Sequence, residues 1–119
     1  MSGLSVSLVQ VSADIAAAQG AADSAGLGVG QSWQNMTASR ALATEYTNST
    51  GKAICLIVAS GANDSLTFIT ATINSVSMEI ERVNHDFNAD GTGVIIVPKD
   101  STYEIDISSG GLGAWWELR

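Results

Sequence analysis

The stretch TYEIDIS, residues 102–108, decides the fold class. Tyr103, Ile105 and Ile107 alternate with Glu104 and Asp106. A period of two is the mark of a half-buried strand, with the apolar set toward a core and the carboxylates toward water. VSMEIE, residues 76–81, repeats the pattern with Val76, Met78 and Ile80 inward and Glu79 and Glu81 outward. Further out, β-branched and aromatic runs are separated by clusters of Gly, Asn, Asp and Ser. These predict strands near 32–38, 43–48, 52–60, 65–73, 76–83, 93–98, 102–108 and 112–118. The turns between them are TNSTGK, SGAND, NADGTG and PKDST. So many short strands predict a mainly β domain over residues 31–119, an antiparallel β-sandwich or jelly roll.

Two of these strands differ from the rest. AICLIVA (53–59) and GVIIV (93–97) are apolar on both faces. A sandwich strand usually shows one face to water. The outer face of this sheet is therefore expected to be covered, by the N-terminal segment or by another copy of the chain.

The chain closes with GGLGAWWELR, residues 110–119. Strand alternation puts Leu112, Ala114, Trp116 and Leu118 on one face and Gly113, Trp115, Glu117 and Arg119 on the other. The first set reads as the core face, which assigns Trp116 to the core and leaves Trp115 outward. An outward Trp115 either stacks on a sugar ring or is buried between protomers, with Arg119 and Glu117 paired across the contact. Aromatic and arginine side chains are enriched in interface cores, which is the ground for the second reading.

Residues 1–30 are expected to be a separate arm for anchoring and oligomerisation. Leu4, Leu8, Val11, Ile15, Ala18, Ala22 and Ala25 follow a four-three spacing, the seam of a coiled coil or docking helix. Ser12 and Asp14 make a helix start, so a short α-helix is expected over 12–25. LSVSLVQVS also alternates as a strand would, and that reading competes with the helix. GLGVG then acts as a hinge.

Composition narrows the function. The 119 residues hold 12 acidic and 5 basic side chains, a formal net charge of −7. Nucleic acid needs a basic patch and is excluded as a partner on that balance. The one cysteine, Cys55, lies in an apolar run and reads as a small buried hydrophobe. The first basic residue is Arg40, so no charged leader of a secretory signal is visible and synthesis in a cytoplasm is expected. The apolar run around Cys55 is too short for a membrane span. Without a secretory route the sequons at Asn35, Asn48 and Asn63 are chance matches.

The sharpest local motif is DFNADG, residues 86–91. Asp86, Asn88, Asp90 and Gly91 match the start of a calcium loop, where alternate oxygens wrap a hard cation. The twelfth position of such a loop should be a glutamate and here is Val97. A simple acidic turn is favoured, and no cofactor or metal is expected. His85 beside Asp86 reads as a solvated loop histidine. Glu79 and Glu81 share a strand face and raise the question of a glycosidase pair, but an acidic water-facing strand is favoured.

Three stretches, GLGVGQSWQNMTASRALATEYTNSTGKAI, VIIVPKDSTYEI and GGLGAWWELR, carry a resemblance. Gly28 to Gln31, Trp33, Thr37, Ser39, Arg40, Tyr46 to Asn48, Thr50, Gly51, Val97, Pro98, Tyr103 and Trp116 to Arg119 resemble the C-terminal β-domain family of bacteriophage tail fibres. The resemblance spans about residues 27–60 and 93–119. It implies a trimeric β-domain exposed on a virion and concerned with host attachment. This chain departs from the pattern in lacking a long shaft and in its charged middle section, TINSVSMEIERVNHDFNAD.

The expectation is therefore a non-enzymatic virion protein. It would be a short tail-fibre or tail-tip component that binds a bacterial surface polysaccharide or outer-membrane receptor as a homotrimer and contacts other virion proteins. The expected interface residues are Leu8, Val11, Ile15, Trp115 and Arg119. The expected receptor loop holds Asn84, His85, Asp86, Asn88 and Asp90. The alternative is a capsid or collar decoration, or a fibre-joining protein, with a purely structural role.

Overall fold

The computed structural model describes residues 26–62, 65–84 and 90–119. These residues are mainly β: eight strands and one short 3-10 turn. The strands are β1 (Trp33–Asn35), β2 (Tyr46–Thr47), β3 (Ile54–Ser60), β4 (Thr67–Ile73), β5 (Val76–Val83), β6 (Thr92–Val97), β7 (Thr102–Ile107) and β8 (Leu112–Leu118), with the turn at Thr37–Ser39. Each predicted strand has its counterpart. The first two are shorter than expected, because Thr37–Ser39 coils and Ala43 takes a positive φ of 54°. The expected helix over 12–25 lies outside the described residues, as do Leu8, Val11 and Ile15.

The strands form two four-stranded antiparallel sheets. Their orders are β1-β8-β3-β6 and β2-β7-β4-β5. First pairs with last, second with seventh, third with sixth and fourth with fifth, as though one long hairpin had been wound around a common axis. The centre of that hairpin is the β4–β5 turn. Asn74 and Ser75 both take positive φ there (48° and 69°), the geometry of a tight two-residue connection whose twist matches its strands.

Alternation along β3, β4, β7 and β8 fills one core between the sheets. Ile54, Leu56, Val58 and Trp115 of one sheet face Ile69, Ala71, Tyr103 and Ile105 of the other, all essentially without exposure. The TYEIDIS reading holds: Tyr103, Ile105 and Ile107 are buried. The β5 reading holds only at one end. Val76 and Met78 pair with the inward Ile73 and Ala71 but remain exposed, because β5 is an edge strand. Ile80, further along, lies over Gly93 of β6, where a Cβ would come within 2.8 Å of Ile80 Cδ1.

The C-terminal reading is reversed. Trp115 is fully buried and Trp116 is 38% exposed. From Ala114 to Leu118 the expected core face of β8 is the outer face and Glu117 points inward with Trp115, while Leu112, across the irregularity at Ala59 and Ser60, packs against the core as expected. The pattern of neighbours misled because Glu117 is charged. A carboxylate enters this core since partners distant in sequence wait for it there.

Candidate functional site

Glu117 is wholly buried and accepts five hydrogen bonds. Arg40 Nε donates to its Oε2 at 2.9 Å and Arg40 Nη2 to its Oε1 at 3.2 Å, a bidentate pair. Arg119 Nη1 donates to Oε1 at 2.9 Å. Tyr103 Oη and Trp115 Nε1 donate to Oε2 at 3.1 and 2.9 Å. The Arg40 guanidinium also lies 4.7 Å from the centre of the Tyr46 ring, which stands edge-on to Trp115. Burial works against the charge on Arg40, but its hydrogen bonds and attraction to Glu117 outweigh that and raise its pKa. Burial first, and the Glu117 charge second, push the Tyr103 hydroxyl above its ordinary value.

Around this node the remaining resemblance residues hold the strands together. Asn48 is buried and its amide donates to the carbonyls of Lys52, Pro98 and Val97 at 2.7, 3.1 and 3.2 Å. Thr50 Oγ1 donates back to Asn48 Oδ1 at 2.7 Å. Thr37 Oγ1 accepts from the Trp115 amide at 3.0 Å, and Gln31 Nε2 donates to the Ala53 carbonyl at 2.9 Å. Lys52 Nζ donates to the Val29 carbonyl. The sequon at Asn48 is thus a structural amide, unavailable to any modification.

The predicted interface pair therefore sits elsewhere. Trp115 belongs to the protomer core, and Arg119 binds Glu117 within the same protomer. Of the predicted loop, Asn84 and Asp90 are exposed at its two ends, while His85, Asp86 and Asn88 lie outside the described residues. Among the described residues no cluster of three potential metal ligands occurs. Glu79 and Glu81 do not follow the simple alternation that would set them side by side on one face. The register shift opposite Ile69 and Thr70 leaves Ile80 as the extra residue, so Glu79 pairs with outward Thr70 and Glu81 with inward Ile69. Arg82 Nε holds Glu79 at 2.7 Å and lowers its pKa, the reverse of what a general acid needs.

One surface feature was legible only as an apolar run. The outer face of the first sheet consists of three cross-strand rows. Trp33, Leu118, Cys55 and Ile96 form one, and Asn35, Trp116, Ile57 and Val94 the next. Ala114, Ala59 and Thr92 form the third. None of these side chains is charged. Trp33, Trp116, Val94 and Ile96 are 46%, 38%, 57% and 53% exposed. The outer face of the second sheet carries Glu79, Arg82, Glu104 and Asp106 among threonines and serines.

Comparison with family models, with curated proteins and with solved structures finds no match for this chain.

Proposed function

We propose that this chain is a tailed-bacteriophage virion protein, a short tail-fibre or tail-tip component that binds the host cell surface as a homotrimer. Its two sheets are best read as a β-sandwich of jelly-roll winding, an architecture used by viral and lectin domains. Fold alone is an analogy. The observation that carries the reading is more specific. The residues that resemble the tail-fibre family interlock: Arg40, Tyr46, Tyr103, Glu117 and Arg119 meet at one node, and Asn48, Thr50 and Pro98 brace its flank. Residues far apart in the chain thus support one folded unit, as the parts of a shared scaffold pattern would.

These residues serve the scaffold. Receptor choice then falls to loops that the scaffold presents, the segment around 84–92 first among them. Three sites of ~1 mM affinity each, presented together, give useful avidity through high effective concentration. No catalytic step is required, and the ligand is a bacterial surface polysaccharide or an outer-membrane protein.

The test is cell binding. Labelled protein of known oligomeric mass is incubated with a panel of Gram-negative bacteria. Saturable binding to particular strains, competed by their extracted surface polysaccharide or lost with an outer-membrane protein, is expected. A folded oligomer that binds no strain and instead binds purified virions lacking it overturns attachment in favour of a decoration or joining role.

A further inference from the structure

The two outer sheet faces differ in one respect that charge makes decisive. The face of β2-β7-β4-β5 carries both signs of charge, whereas that of β1-β8-β3-β6 carries none while presenting two tryptophans and three isoleucine or valine side chains. We infer that this charge-free face is where copies of the chain meet, with Trp116, Ile57 and Val94 at its centre. The inference rests on the homo-oligomer reading above and adds to it a location.

Three arguments choose a second copy as the occupant. The chain has a formal charge of −7, so its copies repel wherever charged surfaces approach. The charge-free face is the sheet surface on which they meet without that penalty. Next comes relief. Bulky Trp116 and Trp33 stand beside small Cys55, Ala59 and Ala114, so where three copies of the face converge on a common axis, large side chains of one can seat beside small ones of the next. Last comes size. Four strands about 4.8 Å apart and three rows spanning some six residues give a footprint of about 400 Å². That is the size of the largest apolar patch on a typical monomer, which is often a functional one, and about half of what one partner contributes to a standard interface. It fits the apolar core of a contact whose polar rim is supplied by neighbouring loops.

Cys55 is the chain's one cysteine and stands on the inner strand β3 in the end row of the face, between Ile96 and Leu118 and one row from Ile57. It therefore reports on the contact directly. The full-length protein is sized by light scattering over a dilution series, and Cys55 is titrated with a disulfide reagent at each concentration. The V94E/I96E variant is measured beside it, with T72E on the opposite face as control and circular dichroism to verify folding. Both altered valine and isoleucine side chains are more than half exposed, so glutamates there reach water in a monomer.

Expected is an oligomer with protected Cys55, a folded V94E/I96E monomer whose Cys55 reacts at least about tenfold faster, and an unchanged T72E. A V94E/I96E protein that keeps the wild-type mass and protection overturns the location and leaves the homo-oligomer standing. Should the pair of glutamates prevent folding, the wild type decides alone. Cys55 that gains reactivity as the mass falls on dilution supports the inference; Cys55 that is freely reactive in the intact oligomer overturns it. Protection unchanged while the oligomer dissociates assigns the cover to the chain itself and overturns it too. A wild type that is monomeric at every concentration removes this inference and the trimer together.

Discussion

Replacing Glu117 with glutamine removes one charge and leaves the shape of the side chain almost intact. The cost follows from its five donors. Oε2 accepts from Arg40, Tyr103 and Trp115, and Oε1 from Arg40 and Arg119. Glutamine has one oxygen, and its NH₂ cannot accept. With the oxygen kept at the Oε2 position, two guanidinium donors face an NH₂; with the amide flipped, three donors do. A buried donor left without an acceptor costs about 1–3 kcal/mol, and breaking a buried ion pair about 3–5. Arg40 and Arg119 retain 13% and 25% side-chain exposure, so water recovers part of the loss. About 3 kcal/mol remains, a fall of roughly 15 °C in melting midpoint for a domain of this size.

Thermal unfolding followed by near-UV circular dichroism measures this, since Trp115 reports on the site itself. Protein concentration is held fixed, because assembly also shifts the midpoint. A cycle with R40L, E117L and the double variant isolates the pair. Each single change strands a buried partner, so the double variant should cost about 1–3 kcal/mol less than the sum. The exposed pair of Glu79 and Arg82 supplies the contrast, and E79Q should leave the midpoint unmoved. If E117Q melts within a few degrees of the wild type, the carboxylate is not what holds β8 in this register, and the account of the node is wrong.

Three further outcomes follow from the same packing. N48A strands the carbonyls of Lys52, Val97 and Pro98 and should cost about 2 kcal/mol, seen as an earlier urea midpoint with an unchanged slope. G113A places a Cβ 2.6 Å from the Ser60 backbone oxygen at the β3–β8 irregularity and should destabilise by about 1–3 kcal/mol, checked by the same titration. Alkali should weaken the fold. Tyr103 has a folded pKa above its ordinary value of 10.0, so the unfolded chain loses its proton first. Stability is then level below about pH 10 and falls as pH rises through the folded pKa, with Cys55, raised by burial above 9.0, adding to the fall from slightly lower pH. Melting midpoints that rise across that range would contradict both assignments.

The strand content of this fold was legible because its signals are local. Tyr103, Ile105 and Ile107 announce their face within one strand, and the β-branched runs on either side of residues 74–75 mark two strands. The pairing of the strands was not legible. Nothing near β8 says that it lies between β1 and β3, since that order follows from winding the whole chain. The bulge at Ile80, which separates Glu79 from Glu81, was hidden for a related reason: an extra residue in a strand leaves no mark on its alternation until the partner strand is known. Asn48 looked like a turn residue and a sequon. Its role is to satisfy carbonyls near position 98, and only the folded chain brings these to it.

The exchange of Trp115 and Trp116 shows how such long-range information reaches the surface. Shifting a strand by one residue sends every side chain to the opposite face. For β8 alone, burying Leu112, Ala114, Trp116 and Leu118 is the better choice, because the other parity buries Glu117. The observed parity prevails because Arg40, 77 residues away, meets that carboxylate, and Tyr103 and Trp115 complete its coordination. The same choice necessarily turns Trp116 outward beside Ile57 and Val94. Parity thus creates two unfavourable groups at once, a carboxylate in the core and an indole on the surface. The protomer compensates the first internally with two arginines. The second stays 38% exposed within the described residues, and the copy proposed above would cover it. The buried ion pair and the apolar surface are in that sense one feature: the residues that fix Glu117 inside also fix what this chain offers to its neighbours.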